Sequence, residues 1–135
     1  MRPFLIIIML LAAQMSWAET ETQTIARVIA AEACGEGELG MELVAMTILN
    51  RATLRHTTPY KEATRPNQYY GLTAINSHKL YAQCKDSADR VASRLMNGYL
   101  KDEIDGAIYF RRPDEPMFRW CKIKTFRYLN HIFYR

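Results

Sequence analysis

The chain contains no Cys-x-x-Cys pair and no His-Glu-x-x-His run. A zinc ribbon, a thioredoxin-like redox site and a zinc-protease centre each need such a spacing to bring thiols or imidazoles together. None of these is expected, and neither is any metal or other cofactor. There is no internal repeat, low-complexity tract or appended binding module. Charge of one sign is also scarce: 18 Lys and Arg stand against 14 Asp and Glu, a net charge of +4, and the one basic concentration is RRPDEPMFRWCKIKTFR near the end. A nucleic-acid groove requires a continuous basic stripe, so nucleic acid is not an expected partner.

Long hydrophobic runs are nearly missing too. The one present, Phe4 to Ala13 within MRPFLIIIMLLAAQMSWA, follows Arg2 and leads to the small-x-small end Ser16-Trp17-Ala18. It is short for the ~20 residues of a spanning helix. This is the layout of a secretory signal cut after Ala18, with a retained membrane anchor as the alternative. Residues 1-18 are therefore expected to be a signal peptide. Residues 19-135 are expected to be one exported domain, periplasmic or secreted, monomeric and without stable membrane insertion once the signal is gone. Cleavage removes Arg2 and leaves 17 basic residues against 14 acidic ones. A mildly basic surface outside the cytoplasm suits an anionic polymer such as peptidoglycan.

What is present describes a globular domain with one core: 49% hydrophobic and 24% charged residues. The three cysteines are Cys34, Cys84 and Cys121. An oxidising compartment permits one disulfide, and Cys84 with Cys121 is the expected pair. Cys34 is then left over, and its place beside Glu32 offers two readings, a nucleophile or a small buried thiol; nothing in the sequence orients a base toward it, so the second is the expectation.

Periodicity divides the domain into helices followed by strands. A first helix is expected from Thr22 or Thr24, either of which can cap it, to Cys34, with Gly35 as the permissive stop. Ile25, Val28 and Ile29 form its apolar stripe, and the i, i+3, i+4, i+7 rule carries that stripe onto Glu32. After the turn GEGELG, a second helix from Leu39 to Leu54 is apolar around most of its circumference and should be the buried centre. Residues 55 to 83, with Pro59, Pro66 and Gly71, read as a long loop with one helical turn near Ser77 to Gln83. A third helix is capped by Asp86 or Ser87, striped by Ala88, Val91, Ala92, Leu95 and Met96, and ended by Asn97-Gly98. DGAIYFRR then reads as a turn and a strand, Pro113 to Pro116 as a turn, and RYLNHIFYR as a strand to the end of the chain. Helices first and strands last define an α+β domain, a helical N-terminal part with a short C-terminal antiparallel sheet.

Glu32 is the residue that packing alone does not explain. A carboxyl partly desolvated by Val28, Ile29 and the second helix, beside a helix C-terminus, should have its pKa raised toward neutrality. It can then donate a proton at neutral pH, which cleavage of a glycosidic bond requires because an unprotonated sugar oxygen leaves poorly. The competing reading is a structural glutamate paired with Arg51. For a second carboxylate, Glu36 and Glu38 lie in the following turn and Glu42 and Asp105 further off; Glu36 fits a turn brace or an ion pair with Arg51 more readily than a base. One acid suffices where the substrate supplies its own nucleophile, as the C6 hydroxyl of muramic acid does in lytic transglycosylation.

The stretches ARVIAAEACGE, LVAMTILNRA and DGAIYF, then Trp120 and the terminal NHIFYR, run in order from Ala26 to Arg135. Together they resemble the cell-wall hydrolase family of the spore cortex-lytic type. That family's usual pattern reads Ala-Glu-Ala-Arg-Gly-Glu, an apolar helix closing on Asn-Arg, Gly-Ala before an aromatic strand, and an Asn-His-x-Phe-Tyr end. The resemblance implies a small lysozyme-like domain related to lytic transglycosylases and resuscitation-promoting factors. Such a domain cleaves the bond between N-acetylmuramic acid and N-acetylglucosamine in peptidoglycan glycan strands, with its catalytic glutamate at the end of the first helix. Glu32 occupies the matching position, which the apolar stripe reached independently. The sequence departs from the pattern at Cys34, where Arg is common, at Gln68-Tyr69-Tyr70, where Gln-Phe-Ser is frequent, and at Leu129, which replaces a Gly.

Among the other matched residues, Tyr70 and Trp120, with Tyr69, are the expected sugar-stacking side chains. Asn50 and Arg51 are expected to brace the end of the second helix onto the Glu36 turn. His131 is either a second acid-base group or a hydrogen-bonded structural residue, and the latter is the expectation. Two other functions compete: an N-acetylmuramoyl-L-alanine amidase, which would ordinarily need zinc, and a peptidoglycan-binding envelope protein without turnover.

Overall fold

The computed structural model describes residues 18-135; the expected signal segment, apart from Ala18, lies outside the described residues. Helix α1 (Glu21–Ala33) opens on a capping box, in which Thr20 accepts from the Gln23 N–H while the Gln23 side chain accepts from the Thr20 N–H. The helix therefore starts before either Thr22 or Thr24, because only Thr20 has a glutamine three residues on. Thr24 is instead buried and donates to Glu19 at 2.9 Å. Ile25, Val28 and Ile29 are fully buried, as the stripe requires.

A 3-10 turn (Cys34–Glu36) joins α1 to α2 (Gly37–Leu54). The glycine that this corner demands is Gly37 rather than Gly35. Gly37 has φ 75° and ψ −178°, a conformation essentially closed to other residues. Helix α2 is the buried centre: Met41, Val44, Ala45 and Ile48 face α1 and α5, while Leu43 and Met46 face the sheet with Ile104, Ala107 and Phe133.

The segment expected to be mostly loop carries more structure. Helix α3 (Pro59–Ala63) begins with proline at its first turn and is capped by the Thr58 side chain accepting from the Lys61 N–H. Proline there starts a helix, since it lacks only an N–H that would be unpaired anyway. A second 3-10 turn (Tyr70–Leu72) and α4 (Ser77–Gln83) follow, the latter where one helical turn was expected. Helix α5 (Lys85–Met96) begins at Cys84 with no side-chain cap, so neither Asp86 nor Ser87 caps it; Gly98 (φ 74°) follows its end.

The sheet has the order β1-β3-β2, all antiparallel: β1 (Tyr109–Arg111), β2 (Lys124–Tyr128) and β3 (His131–Tyr134). RYLNHIFYR is not one strand but the hairpin β2–β3. Its turn is made by Leu129, at φ 47°, and Asn130. That left-handed conformation favours glycine, which accounts physically for glycine being usual at the site and leaves Leu129 strained. All four residues of β3 are buried, as befits a central strand.

The cysteines are all free, and the expected Cys84–Cys121 pair is not made. Cys121 packs on the sheet with Ile132 and Tyr134, whereas Cys84 sits at the α4–α5 junction in the helical half. No helix among the described residues is long and apolar enough to cross a membrane.

Candidate active site

A cleft of about 620 Å³ opens between the end of α1, the segment before the Tyr70 turn and the loop that follows β1. Glu32 projects into it from the last turn of α1, the half-buried end of an otherwise buried stripe. Its Oε1 accepts the Tyr70 backbone N–H at 2.7 Å. Burial pushes its pKa up, and the Tyr70 and Gly71 N–H groups oppose that by stabilising the carboxylate; nearby Glu115 adds to the rise, Arg112 subtracts, and the balance stays raised. Glu32 thus holds its proton to higher pH than an exposed glutamate, and two N–H donors stand ready for the anion once the proton has gone.

The donors are placed by close packing. Gly71 lies so near α1 that a Cβ on it would come within 2.6 Å of Val28 Cα and 2.9 Å of Val28 O. Arg27, buried on α1, ties the same pieces together: it donates to Gly71 O at 3.4 Å and to Ser77 Oγ at 3.3 Å while paired with Glu19 at 3.0 Å.

Arg51 does not pair with Glu32, so the structural ion-pair reading of that glutamate fails. The Arg51 Nε donates to Ile108 O and its Nη1 to Gln68 Oε1 at 2.8 Å, with the guanidinium over the rings of Tyr69 and Tyr109 at 5.2 and 4.8 Å. Asn50 Nδ2 donates to Ala107 O at 2.9 Å. The end of α2 is therefore braced against the two carbonyls leading into β1, not against the Glu36 turn as expected. This sets Tyr109 and Phe110 on the cleft wall. Glu36 is buried over Gly40, accepts from the Asn130 N–H at 3.3 Å and so holds the β2–β3 turn, away from the cleft and from Arg51.

Of the expected stacking residues, Tyr70 (78% exposed) and Trp120 (51%) do line the cleft. Tyr69 does not: it is buried in the helical core, its hydroxyl 2.9 Å from Thr47 Oγ1. His131 is also buried, edge-on to Phe110 at 4.9 Å, and burial pushes its pKa down, so it stays neutral behind the wall. Sequence reasoning missed Phe118, whose ring is parallel to that of Trp120 at 4.9 Å and 1°. The two rings are brought together by a turn, closed by the Cys121 N–H donating to Phe118 O at 3.1 Å, and no sequence period signals that. It also missed Glu115, the second carboxylate at the cleft, anchored by the Arg112 N–H at 2.9 Å. The other candidates are occupied elsewhere: Glu38 and Glu42 pair with Arg90 and Arg94, and Asp105 with Arg135. Among the described residues no three His, Cys, Asp or Glu side chains form a group able to hold a metal ion.

A helical half leading into a three-stranded sheet, with one proton-holding carboxyl facing an aromatic cleft, defines a small lysozyme-like α+β domain. The chain belongs to the Cell Wall Hydrolase family, whose family model matches residues 35–134. It is 29% identical over 122 residues to the cell wall hydrolase CwlJ of Oceanobacillus iheyensis, covering 86% of each chain. It is also 27% identical over 111 residues to the spore cortex-lytic enzyme of Bacillus cereus, spanning 77% of this chain but 39% of that longer one. Among solved structures, the catalytic domain of the germination-specific lytic transglycosylase SleB from Bacillus anthracis superposes with a TM-score of 0.68 at 25% identity, covering 90% of this chain and 98% of that one.

Proposed function

We propose that this protein is an exported peptidoglycan-cleaving enzyme, a lytic transglycosylase that breaks the bond between N-acetylmuramic acid and N-acetylglucosamine with Glu32 as its one acid and base. The observation that carries this reading is the Glu32 carboxyl: raised in pKa by burial, yet open to an aromatic-walled cleft and held by a backbone N–H at 2.7 Å. Protonated, Glu32 gives its proton to the glycosidic oxygen as the bond breaks. The carboxylate so formed is stabilised by the Tyr70 and Gly71 N–H groups and takes the proton from the C6 hydroxyl of the muramic acid, which closes on C1 to give the anhydro end. Trp120, stacked with Phe118, and Tyr70 offer apolar faces to the pyranose rings.

Mass spectrometry of purified peptidoglycan digested by the protein tests both bond and end chemistry. Anhydromuropeptides from the wild type and none from Glu32→Gln are expected. Reducing muramic acid ends would replace transglycosylation by hydrolysis, released stem peptides would mean an amidase, and binding without product would mean a non-catalytic wall protein.

A further inference from the structure

Cys34 and Cys84 lie outside the cleft and take no part in the chemistry above. Cys34 closes the C-terminal end of α1, two residues beyond Glu32, and Cys84 is the junction between α4 and α5. Their sulfurs meet at one atom: Cys34 Sγ donates to Leu80 O at 3.5 Å and Cys84 Sγ to the same oxygen at 3.3 Å. Both side chains are half-buried, so a small thiol reagent can reach them, while Cys121 is buried on the sheet. Burial first, and then a hydrogen bond with the Cys34 thiol, pushes the Cys84 thiol up to about 12.

We propose that Cys34 and Cys84 are a disulfide-forming pair which, once oxidised, staples the Glu32-bearing end of α1 to the α4–α5 junction. The geometry alone supplies the pairing; its physiological setting rests on the export reading, since a disulfide persists only in an oxidising compartment. The oxidant is a disulfide carrier of the low-molecular-weight or exchange-protein class. Exchange begins when one of the two cysteines, as its thiolate, attacks the carrier disulfide, forming a mixed disulfide and releasing one carrier thiol. The other cysteine then loses its proton and attacks the protein sulfur of that mixed disulfide, releasing the second carrier thiol. Two protein thiols have lost two electrons and two protons, and the carrier has gained them. The new bond closes a loop of about fifty residues that holds α2, α3 and the Tyr70 turn, one wall of the cleft.

The test uses the purified chain equilibrated with oxidised glutathione, alkylated in denaturant so that the buried Cys121 also reacts, and digested without reduction. A peptide joining Cys34 to Cys84, with Cys121 alkylated, is expected, and Cys121→Ser should leave that link intact. Reduction should lower Tm by about 10 °C in the wild type and leave Cys34→Ser and Cys84→Ser unmoved. Alkylation of both Cys34 and Cys84 after oxidation, a Cys84–Cys121 link, or a reductant-insensitive wild-type Tm would each overturn the proposal. Failure of export shows separately: the protein would fractionate with the cytoplasm while the purified chain still forms the link.

Discussion

Substituting Gly71 by alanine tests how the acid is held. The added methyl meets the backbone of Val28, at 2.6 Å from Cα and 2.9 Å from the carbonyl oxygen, and also Ala31 Cβ at 3.2 Å. Two of those atoms belong to the backbone of α1, so no side chain can swing aside and the Tyr70 turn must lift. Overpacking costs typically 1–3 kcal/mol, and a backbone contact places this one near the top, about 3 kcal/mol or roughly 10 °C in Tm. The lifted turn also takes the Tyr70 and Gly71 N–H groups from Glu32. These are the two contacts that most oppose the rise caused by burial, so the Glu32 pKa climbs further. The acid stays protonated to higher pH, the alkaline limb of the rate profile moves up, and the carboxylate needed for the second proton transfer is less stable. A charge-assisted hydrogen bond contributes ~1.5–3 kcal/mol, which predicts a fall of about tenfold or more in kcat. Differential scanning fluorimetry and a pH–rate profile on peptidoglycan read both effects. Gly35→Ala is the control: a Cβ there meets nothing within 4 Å, so a change within about 0.5 kcal/mol is expected. Wild-type Tm and an unmoved alkaline limb in Gly71→Ala would refute the idea that this contact positions the donors.

Three further outcomes follow from the same geometry. Glu32→Gln should abolish turnover yet stabilise the fold at higher pH. The folded carboxyl keeps its proton above the ordinary range while the unfolded one does not, so wild-type stability falls as pH rises through that window and the glutamine variant's does not; a Tm gap that failed to widen with pH would contradict it. Trp120→Ala and Phe118→Ala should each raise KM for glycan several-fold, with a Tm shift of a few degrees at most, because an exposed stacked pair contributes ~0.5–1.5 kcal/mol; an unchanged KM would remove these rings from the substrate path. Glu62→Ala should destabilise by about 1–3 kcal/mol in chemical denaturation. That is less than a fully buried pair would lose, because the freed partners Arg55 and Arg65 have side chains 33% and 41% exposed and can turn to water; a loss above about 4 kcal/mol would show that they cannot.

What the sequence made legible and what it hid divide along local versus tertiary lines. The place of Glu32 on α1, the α1 stripe and the α5 stripe rest on a 3.6-residue period, although Met96, expected in the last of these, is exposed; α2 was legible instead from being apolar nearly all round. The partners of Arg51, Asn50 and Glu36 lie 17 to 94 residues away along the chain. Each of these side chains can satisfy itself in several ways, and no spacing says which. Tyr69 and Tyr70 show the limit most clearly, since adjacent tyrosines take opposite fates: one is buried against Thr47 and the other exposed on the cleft. Only the direction of the backbone entering a 3-10 turn decides between them.

Cys34 stands where the family commonly carries an arginine, a substitution that from sequence looks like a change to the acid's surroundings. In the folded protein its sulfur bonds to Leu80 O on the α4 side, and it is not among the residues lining the cleft. The departure therefore alters how α1 is fastened rather than what the substrate meets. The pKa of Glu32 is then set chiefly by burial against two backbone N–H groups, with Glu115 and Arg112 making the smaller charge contributions. An acid tuned by burial and backbone donors depends little on the side chain two residues on, so a thiol at position 34 is compatible with the chemistry proposed for Glu32.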